Sequence, residues 1–189
     1  MPNWLIYTIL IVLVIYFISI YNRLVTLRHN IDEAWSNIDV LLKQRYEELP
    51  KLVEACKQYM SHERGTLTEV TELRNQAETA RREGDATAIG SCEGALGIAV
   101  SGLLARAEAY PDLKASETFQ TLMQRIASIA DTIADRREYF NEAVNLNNIR
   151  REQFPDMMVA RLFNFGPRKL FEVPEQKRAN VDMRKLFEQ

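Results

Sequence analysis

A long uncharged apolar segment opens the chain, and charged residues become frequent immediately after it. From Trp4 to Tyr21 only Thr8 and Ser19 interrupt the apolar and aromatic residues. A helix needs about 20 mainly apolar residues to cross the roughly 30 Å hydrocarbon core of a bilayer. The segment therefore predicts a membrane anchor over residues 1–22. Its membrane-facing side chains are predicted to be Trp4, Leu5, Ile6, Tyr7, Ile11, Val12, Leu13, Val14, Tyr16, Phe17 and Tyr21.

The segment lacks the features of a secretory signal peptide. No Lys or Arg precedes it, and no small-residue cleavage site follows it, whereas signal peptides have both. A buried core helix is the other alternative, but the rest of the chain contains no similarly apolar helices to surround it. We therefore expect an anchor that is not cleaved.

Flanking basic residues predict the orientation of the anchor, because the cytoplasmic side of a membrane helix carries the excess of Lys and Arg. Arg23 and Arg28 follow the segment closely. We expect the N-terminus outside and the C-terminal domain in the cytoplasm. Cys56 and Cys92 are isolated, and two free thiols are typical of a reducing compartment. A periplasmic domain with one disulfide remains the alternative.

Apolar residues after the anchor recur at spacings of three and four, which predicts amphipathic helices. Gly and Pro are scarce, so the composition also indicates an all-α fold. The predicted architecture is an N-terminal transmembrane helix that continues into a long-helix antiparallel bundle, with three long helices and a short C-terminal helix. The bundle is expected over residues 23–165. A charged tail over residues 166–189 either extends over the bundle or is mobile.

The first predicted helix continues from the anchor to a turn at residues 83–85. Pro50 lies inside it, and an interior proline usually kinks or breaks a helix. Because the apolar stripe keeps its phase across Pro50, we favour a kinked continuous helix over a hairpin. One spacing in the stripe is irregular, because Met60 and Leu67 are seven positions apart.

Two further long helices are predicted. The second covers residues 87–109 and is rich in Gly and Ala, so a loosely ordered segment is the alternative at its beginning. The third covers residues 116–153 and ends before Pro155. A short amphipathic segment follows over residues 156–165.

Helix lengths raise the question of what covers the apolar stripe near the membrane. The second helix is roughly 35 Å long, whereas the first would extend roughly 90 Å beyond the membrane. A large exposed apolar stripe is unusual in a monomer. Either the C-terminal residues cover the stripe, or copies of the chain associate through it, which is our hypothesis. The predicted self-association or partner interface is Trp35, Ile38, Asp39, Leu42, Tyr46 and Leu49.

Trp35 and Asp39 are also open to a second interpretation. They are four residues apart, so they share a helix face. A core tryptophan, with Asp39 paired to Lys43, is the alternative to an interface position.

Several strings of residues resemble the LemA family of bacterial membrane-anchored proteins. Residues 34–40 read A-W-S-N-I-D-V, and residues 110–115 read Y-P-D-L-K-A. Together with residues 21–28 and 137–144, these matches extend over nearly the whole chain. Asn164 stands where the family pattern has Gly, and Asn tolerates the positive φ that a turn there requires.

The resemblance implies a location and a fold rather than a reaction. It implies an anchor in the inner (cytoplasmic) membrane of the bacterial cell, with the N-terminus outside and a cytoplasmic helical bundle. It supplies no enzymatic activity, and members of the family are associated with the cell envelope.

The sequence contains no pattern typical of catalysis or of a cofactor site. His62 has no second histidine four residues away, so the zinc-protease pattern is missing. The stretch from Gly90 to Gly102 is not a strand–loop–helix phosphate loop. Interspersed charges close to neutrality argue against a nucleic-acid partner. We predict no catalytic residue, no bound metal and no cofactor.

Two smaller groups of residues have structural predictions. Arg137, Tyr139 and Asn141 are predicted to form a buried polar network that fixes the register of the bundle. Met157, Met158 and Phe163 are expected to close the core, and an apolar surface for a helix or a lipid face is the alternative.

The leading hypothesis is a non-enzymatic single-pass membrane scaffold. It would self-associate through its long helices and organise or remodel the bacterial cytoplasmic membrane. Its partners would be the lipid bilayer and further copies of the chain. The alternative is an adaptor or regulator of another envelope protein, such as a membrane protease.

Overall fold

The computed structural model describes residues 3–174, and this part of the chain is all-α, as predicted. The six helices are α1 (Asn3–Lys57), α2 (Arg64–Glu83), α3 (Ala86–Ala107), α4 (Pro111–Ala115), α5 (Glu117–Glu152) and α6 (Asp156–Leu162).

The chain divides into two compact units. The first, here called the anchor unit, contains the residues up to Leu42 together with Ala130–Leu170. The second, here called the α2–α3 unit, contains Lys43–Ile129 and, among the described residues after Leu170, residues 171–174. Both α1 and α5 therefore contribute residues to each unit.

Helix α1 is continuous through Pro50, as the phase of the apolar stripe predicts. The predicted continuation to residue 83 is wrong, because α1 ends at Lys57 and α2 begins at Arg64. The irregular spacing after Met60 marks this break. Met60 is fully buried, and its carbonyl accepts a 3.0 Å hydrogen bond from the Glu63 amide, so the chain turns around it.

Specific end signals separate α2 from α3. Gly84 adopts φ 73°, and its amide bonds to the carbonyls of Ala80 and Arg81. A left-handed glycine of this kind ends many helices. The Asp85 side chain then accepts a 2.9 Å hydrogen bond from the Thr87 amide and caps α3. Helix α3 is regular from Ala86 onward, so the loosely ordered alternative does not apply.

Helices α5 and α6 follow the predicted order, whereas the short helix α4 was not predicted. Helix α5 ends at Glu152, close to the prediction, and the Phe154–Pro155 peptide bond that follows is cis. Asn164 lies just after α6 with φ 57°, which confirms the expected turn.

Apolar side chains of α1 and α5 form the core of the anchor unit. The Trp35 and Phe140 rings lie 5.4 Å apart in this core. Full burial of a large aliphatic side chain stabilises a fold by about 1.5–3 kcal/mol. The buried side chains include Leu24, Ile31, Ala34, Ile38, Ile133, Phe140 and Val144.

The core of the α2–α3 unit includes the beginning of the predicted tail. Phe171 is fully buried, and the backbone of Glu172 passes so close to Gly90 that a Cβ there would lie 1.9 Å from the Glu172 carbonyl oxygen. Residues 171–174 therefore pack on α3, which agrees with an extended rather than a mobile segment. The rest of the predicted tail, residues 175–189, lies outside the described residues.

Candidate membrane anchor and interaction surfaces

The predicted anchor is exposed except at its C-terminal end, where Ile20 is buried. Every predicted membrane-facing side chain lies on the surface of α1, and from Trp4 to Ile18 the exposed side chains form a continuous apolar surface. Soluble monomers rarely expose apolar surface on this scale. Its length and apolar composition also suffice to cross a bilayer. The N-terminal part of α1 thus indicates membrane anchoring.

Helix α3 is also long and apolar enough to span a membrane, but its surroundings differ. Ile89, Leu96 and Leu103 of this helix are fully buried inside the α2–α3 unit. Glu93, in the middle of α3, is buried as well. These features are those of a core helix of the unit.

Glu93 is the centre of a buried polar cluster. Its carboxylate accepts a 2.7 Å hydrogen bond from the Tyr46 hydroxyl and forms an ion pair with Arg45. Arg74 of α2 donates a 2.9 Å hydrogen bond to the Tyr46 carbonyl. Burial, and then the charge of Glu93, raises the pKa of Tyr46 far above its ordinary value, so the phenol stays protonated. The cluster joins α1, α2 and α3.

A second buried carboxylate is also held by cations. Glu48 is almost fully buried, and one of its oxygens lies 3.1 Å from Lys51 and 3.3 Å from Arg125. Among residues 3–174, no group of three or more His, Cys, Asp and Glu side chains is arranged to hold a metal ion. The buried charges form ion pairs between helices, and we find no nucleophile beside a base among them.

The predicted self-association interface is not an open stripe. Ile38, Leu42, Tyr46 and Leu49 are buried within the single chain, while Trp35 and Asp39 are half-buried. The chain's own residues cover the stripe, which was the alternative to association between copies, because Phe140 of α5 packs on Trp35 in the anchor unit. The premise of an uncovered stripe was therefore wrong.

The predicted register network is also wrong for one residue. Tyr139 is 54% exposed, whereas Arg137 and Asn141 are half-buried. Successive helix residues are rotated by about 100°, so Tyr139 points to roughly the opposite side of the helix from Arg137 and Asn141, which are each two positions away. The buried residue in this part of α5 is Phe140.

An exposed apolar face on α5 was missed by the sequence analysis. Tyr139, Leu146 and Ile149 are 54%, 47% and 53% exposed. Tyr139 and Leu146 are seven positions apart, which is about two helical turns, and Ile149 follows Leu146 by three positions, which is nearly one turn. The three side chains therefore share one side of the helix. We call them the α5 face. The signal was present in the sequence as an apolar repeat out of phase with the buried stripe.

A second exposed apolar surface lies on and around α6. Val159 and Ala160 pack against Ile20 and Leu24 of α1, as core residues do. Met158 and Phe163 are exposed instead, so the expected core closure is wrong for both, and Met157 is half-buried. We define the α6 surface by its exposed members, which are Phe154, Met158, Leu162 and Phe163.

Comparison with known proteins identifies relatives of this chain. Two are magnetosome proteins of Paramagnetospirillum magneticum, MamQ 1 and MamQ 2, each 22% identical over 175 residues, with 80% of this chain and 64% of the relative covered. The magnetosome protein MamQ of Magnetospirillum gryphiswaldense is 22% identical over 168 residues, with 77% and 62% covered. The chain thus spans less than two thirds of the length of these relatives. The sequence model of the LemA family matches residues 34–184, and the chain belongs to this family.

Proposed function

We propose that this protein is a non-enzymatic, single-pass scaffold of the bacterial cytoplasmic membrane that self-associates and organises the bilayer around it. Its N-terminus would lie outside, and the helices after the anchor would lie in the cytoplasm. The observation that carries the proposal is the α5 face, because this exposed apolar surface belongs to the same unit as the membrane anchor.

The anchor makes a small apolar face effective. Copies held in one bilayer have the same orientation, and they meet at a high effective concentration, which strengthens weak contacts. A face of three apolar side chains would bind weakly between free molecules in solution. Between copies whose anchors share a bilayer or a detergent micelle, the α5 faces would meet at the same depth and in the same orientation.

The polar groups support a structural role. Within residues 3–174, the buried glutamates are Glu93 and Glu48, and each is paired with an arginine from another helix. Such pairs fix helices relative to one another. The names of the relatives, which are magnetosome proteins, do not suggest an enzymatic activity.

The α5 face is tested by changing one of its residues and comparing a matched control. Leu146→Glu places a charge on the face, whereas Asn145→Glu places the same charge about 100° around the helix. Light scattering in mild detergent should show a large assembly for the wild type and for Asn145→Glu, and a much smaller species for Leu146→Glu. An assembly of unchanged mass with Leu146→Glu would contradict the role of this face.

The adaptor function is the second candidate, and one observation favours it. Burial of Ile38, Leu42 and Leu49 leaves less apolar surface for self-association than the sequence indicated. An adaptor would be small and uniform in detergent until its envelope partner is added. The same light-scattering measurement on the wild type separates the two functions.

A further inference from the structure

The α6 surface adjoins the inner end of the membrane anchor. We propose that it is a second membrane contact, which inserts its apolar side chains into the cytoplasmic leaflet and binds anionic phospholipid headgroups through the arginines beside it. This proposal rests on membrane anchoring and on the cytoplasmic orientation, and it is independent of self-association.

Aromatic contacts fix the depth of the α6 surface. The Phe163 ring lies 4.8 Å from the ring of Tyr21, and the Phe165 ring lies 5.9 Å from it. Tyr21 ends the apolar segment of α1, and tyrosines at the ends of membrane helices lie at the level of the headgroups. Phe163 is therefore held at the boundary between headgroups and acyl chains.

Helix α6 packs one of its sides against α1 and exposes another. Val159 and Ala160 are buried against α1. Met158 and Leu162, one turn apart on a different side, are 54% and 69% exposed. An amphipathic helix that exposes such a side at headgroup depth inserts it shallowly between the lipids.

Arginines line two cavities beside residues 164–167, the segment that follows α6. One cavity of about 550 Å³ beside this turn is lined by Arg151 and Arg161, and another of about 270 Å³ is lined by Arg28 and Arg168. Two of these arginines are paired with carboxylates, because Asp32 lies 3.5 Å from Arg168 and Glu152 lies 3.1 Å from Arg151. Asp156 of α6 pairs with a further arginine, Arg150, at 3.8 Å.

Four arginines beside two carboxylates leave an excess of positive charge around the turn. The planar guanidinium group binds phosphate oxygens in pairs. Basic residues next to a membrane helix attract the anionic lipids of the cytoplasmic leaflet.

Continuity with the anchor favours lipid as the occupant over a protein helix. The contacts of Phe163 and Phe165 with Tyr21 bring the α6 surface to the place where α1 enters the bilayer. A protein partner of this surface would have to displace the lipids around Tyr21. The apolar side chains and the adjacent arginines instead match a lipid, which has an acyl chain next to a phosphate.

The test uses the full chain in liposomes, with Cys56→Ala and Cys92→Ala as the background. A bimane label is attached at Leu162→Cys or, separately, at Met158→Cys, and brominated lipids serve as quenchers. A label at Ile11→Cys in the anchor is the reference for the membrane interior. A label at Glu69→Cys, an exposed polar position of α2, is the reference for water. Circular dichroism checks that each variant is folded.

Insertion predicts that labels at positions 162 and 158 are quenched at least half as strongly as the label at position 11. Quenching no stronger than that at position 69 at both sites, with position 11 quenched normally, would overturn the proposal. Failure of quenching at position 11 as well would mean that the anchor itself is not inserted. Aqueous iodide serves as a second quencher that reaches labels exposed to water. A label that neither the brominated lipids nor iodide quenches would indicate that a protein, such as a second copy of the chain, covers the surface, and this result would also overturn the proposal.

Headgroup recognition is tested by changing the charge of the lipid and of the protein. Brominated phosphatidylglycerol should quench the label at position 162 about twice as strongly as the same fraction of brominated phosphatidylcholine. Arg161→Gln combined with Arg168→Gln should bring this ratio close to one. A ratio of one in the unchanged protein would contradict the preference for anionic lipids.

Discussion

The hydroxyl of Tyr46 donates a 2.7 Å hydrogen bond to Glu93, and this bond connects α1 to the middle of α3. The same carboxylate pairs with Arg45, and all three side chains are buried. Removal of one partner of a buried ion pair leaves an uncompensated charge, which costs about 3–5 kcal/mol. Glu93→Leu should therefore lower the midpoint of thermal unfolding strongly, as measured by circular dichroism in detergent.

A double variant provides the control for this prediction. Arg45→Met together with Glu93→Leu removes both charges, and apolar replacement of a whole buried pair is often neutral or stabilising. Its unfolding midpoint should lie well above that of Glu93→Leu alone. Equal midpoints for the single and the double variant would show that the uncompensated Arg45 charge is not the source of the loss.

The close approach of Glu172 to Gly90 predicts opposite effects for two glycine substitutions in α3. Gly90→Ala places a methyl group within 1.9 Å of the Glu172 carbonyl oxygen, so residues 171–174 must move. Overpacking of this kind costs about 1–3 kcal/mol. Gly102→Ala meets nothing within 4 Å and should stabilise the helix by up to about 1 kcal/mol.

Chemical denaturation of both alanine variants measures the difference. The free energy of unfolding should fall for Gly90→Ala and rise for Gly102→Ala. An increase for both variants would mean that the segment after Phe171 does not pack on α3.

The Cys56 thiol gives a prediction about pH. Burial raises the pKa of Cys56 to about 11, above the value of about 8.5 expected in the unfolded chain. Because the pKa of this thiol is higher in the folded chain than in the unfolded chain, its contribution to stability is fully present below the unfolded-state pKa. The contribution is lost as the pH rises through the folded-state pKa, since the unfolded chain ionises first. Between about pH 8.5 and 11 the unfolding midpoint should fall more steeply for the wild type than for Cys56→Ala.

Thiol labelling checks the same environment independently. Ellman's reagent at pH 8 should react with Cys56 only after denaturant is added. Rapid reaction of Cys56 in the folded Cys92→Ala variant would contradict the buried environment.

The orientation of the anchor is tested by thiol labelling on intact cells. In the Cys56→Ala and Cys92→Ala background, Asn3→Cys should react with a membrane-impermeant maleimide, and Arg28→Cys should react only after the cells are lysed. The positive charge of Arg23 and Arg28 is the physical reason to expect this orientation. Labelling of position 28 in intact cells would reverse the assignment.

Local sequence patterns predicted much of the fold. The phase of the apolar residues predicted a continuous helix across Pro50, and Gly84 marked the end of α2. The break after Lys57 was missed, although the irregular spacing after Met60 marks it. A run of polar residues between two apolar positions is compatible with a solvated helix face as well as with a turn, so the pattern alone did not decide.

Contacts between distant segments were the part that the sequence did not reveal. Glu93 is the only charged residue between Asp85 and Arg106, which marks it as unusual, but nothing in the sequence names Tyr46 or Arg45 as its partner. For the same reason, the sequence left open whether C-terminal residues or further copies of the chain cover the apolar stripe. Helix lengths show how far each segment extends, whereas packing between segments decides which side chains remain exposed.

Electron microscopy of the purified full-length protein in mild detergent tests the scaffold function most directly. The proposal predicts large ordered assemblies of the wild type, which Leu146→Glu disperses and Asn145→Glu preserves. A uniform population of wild-type monomers would contradict the scaffold and favour the adaptor.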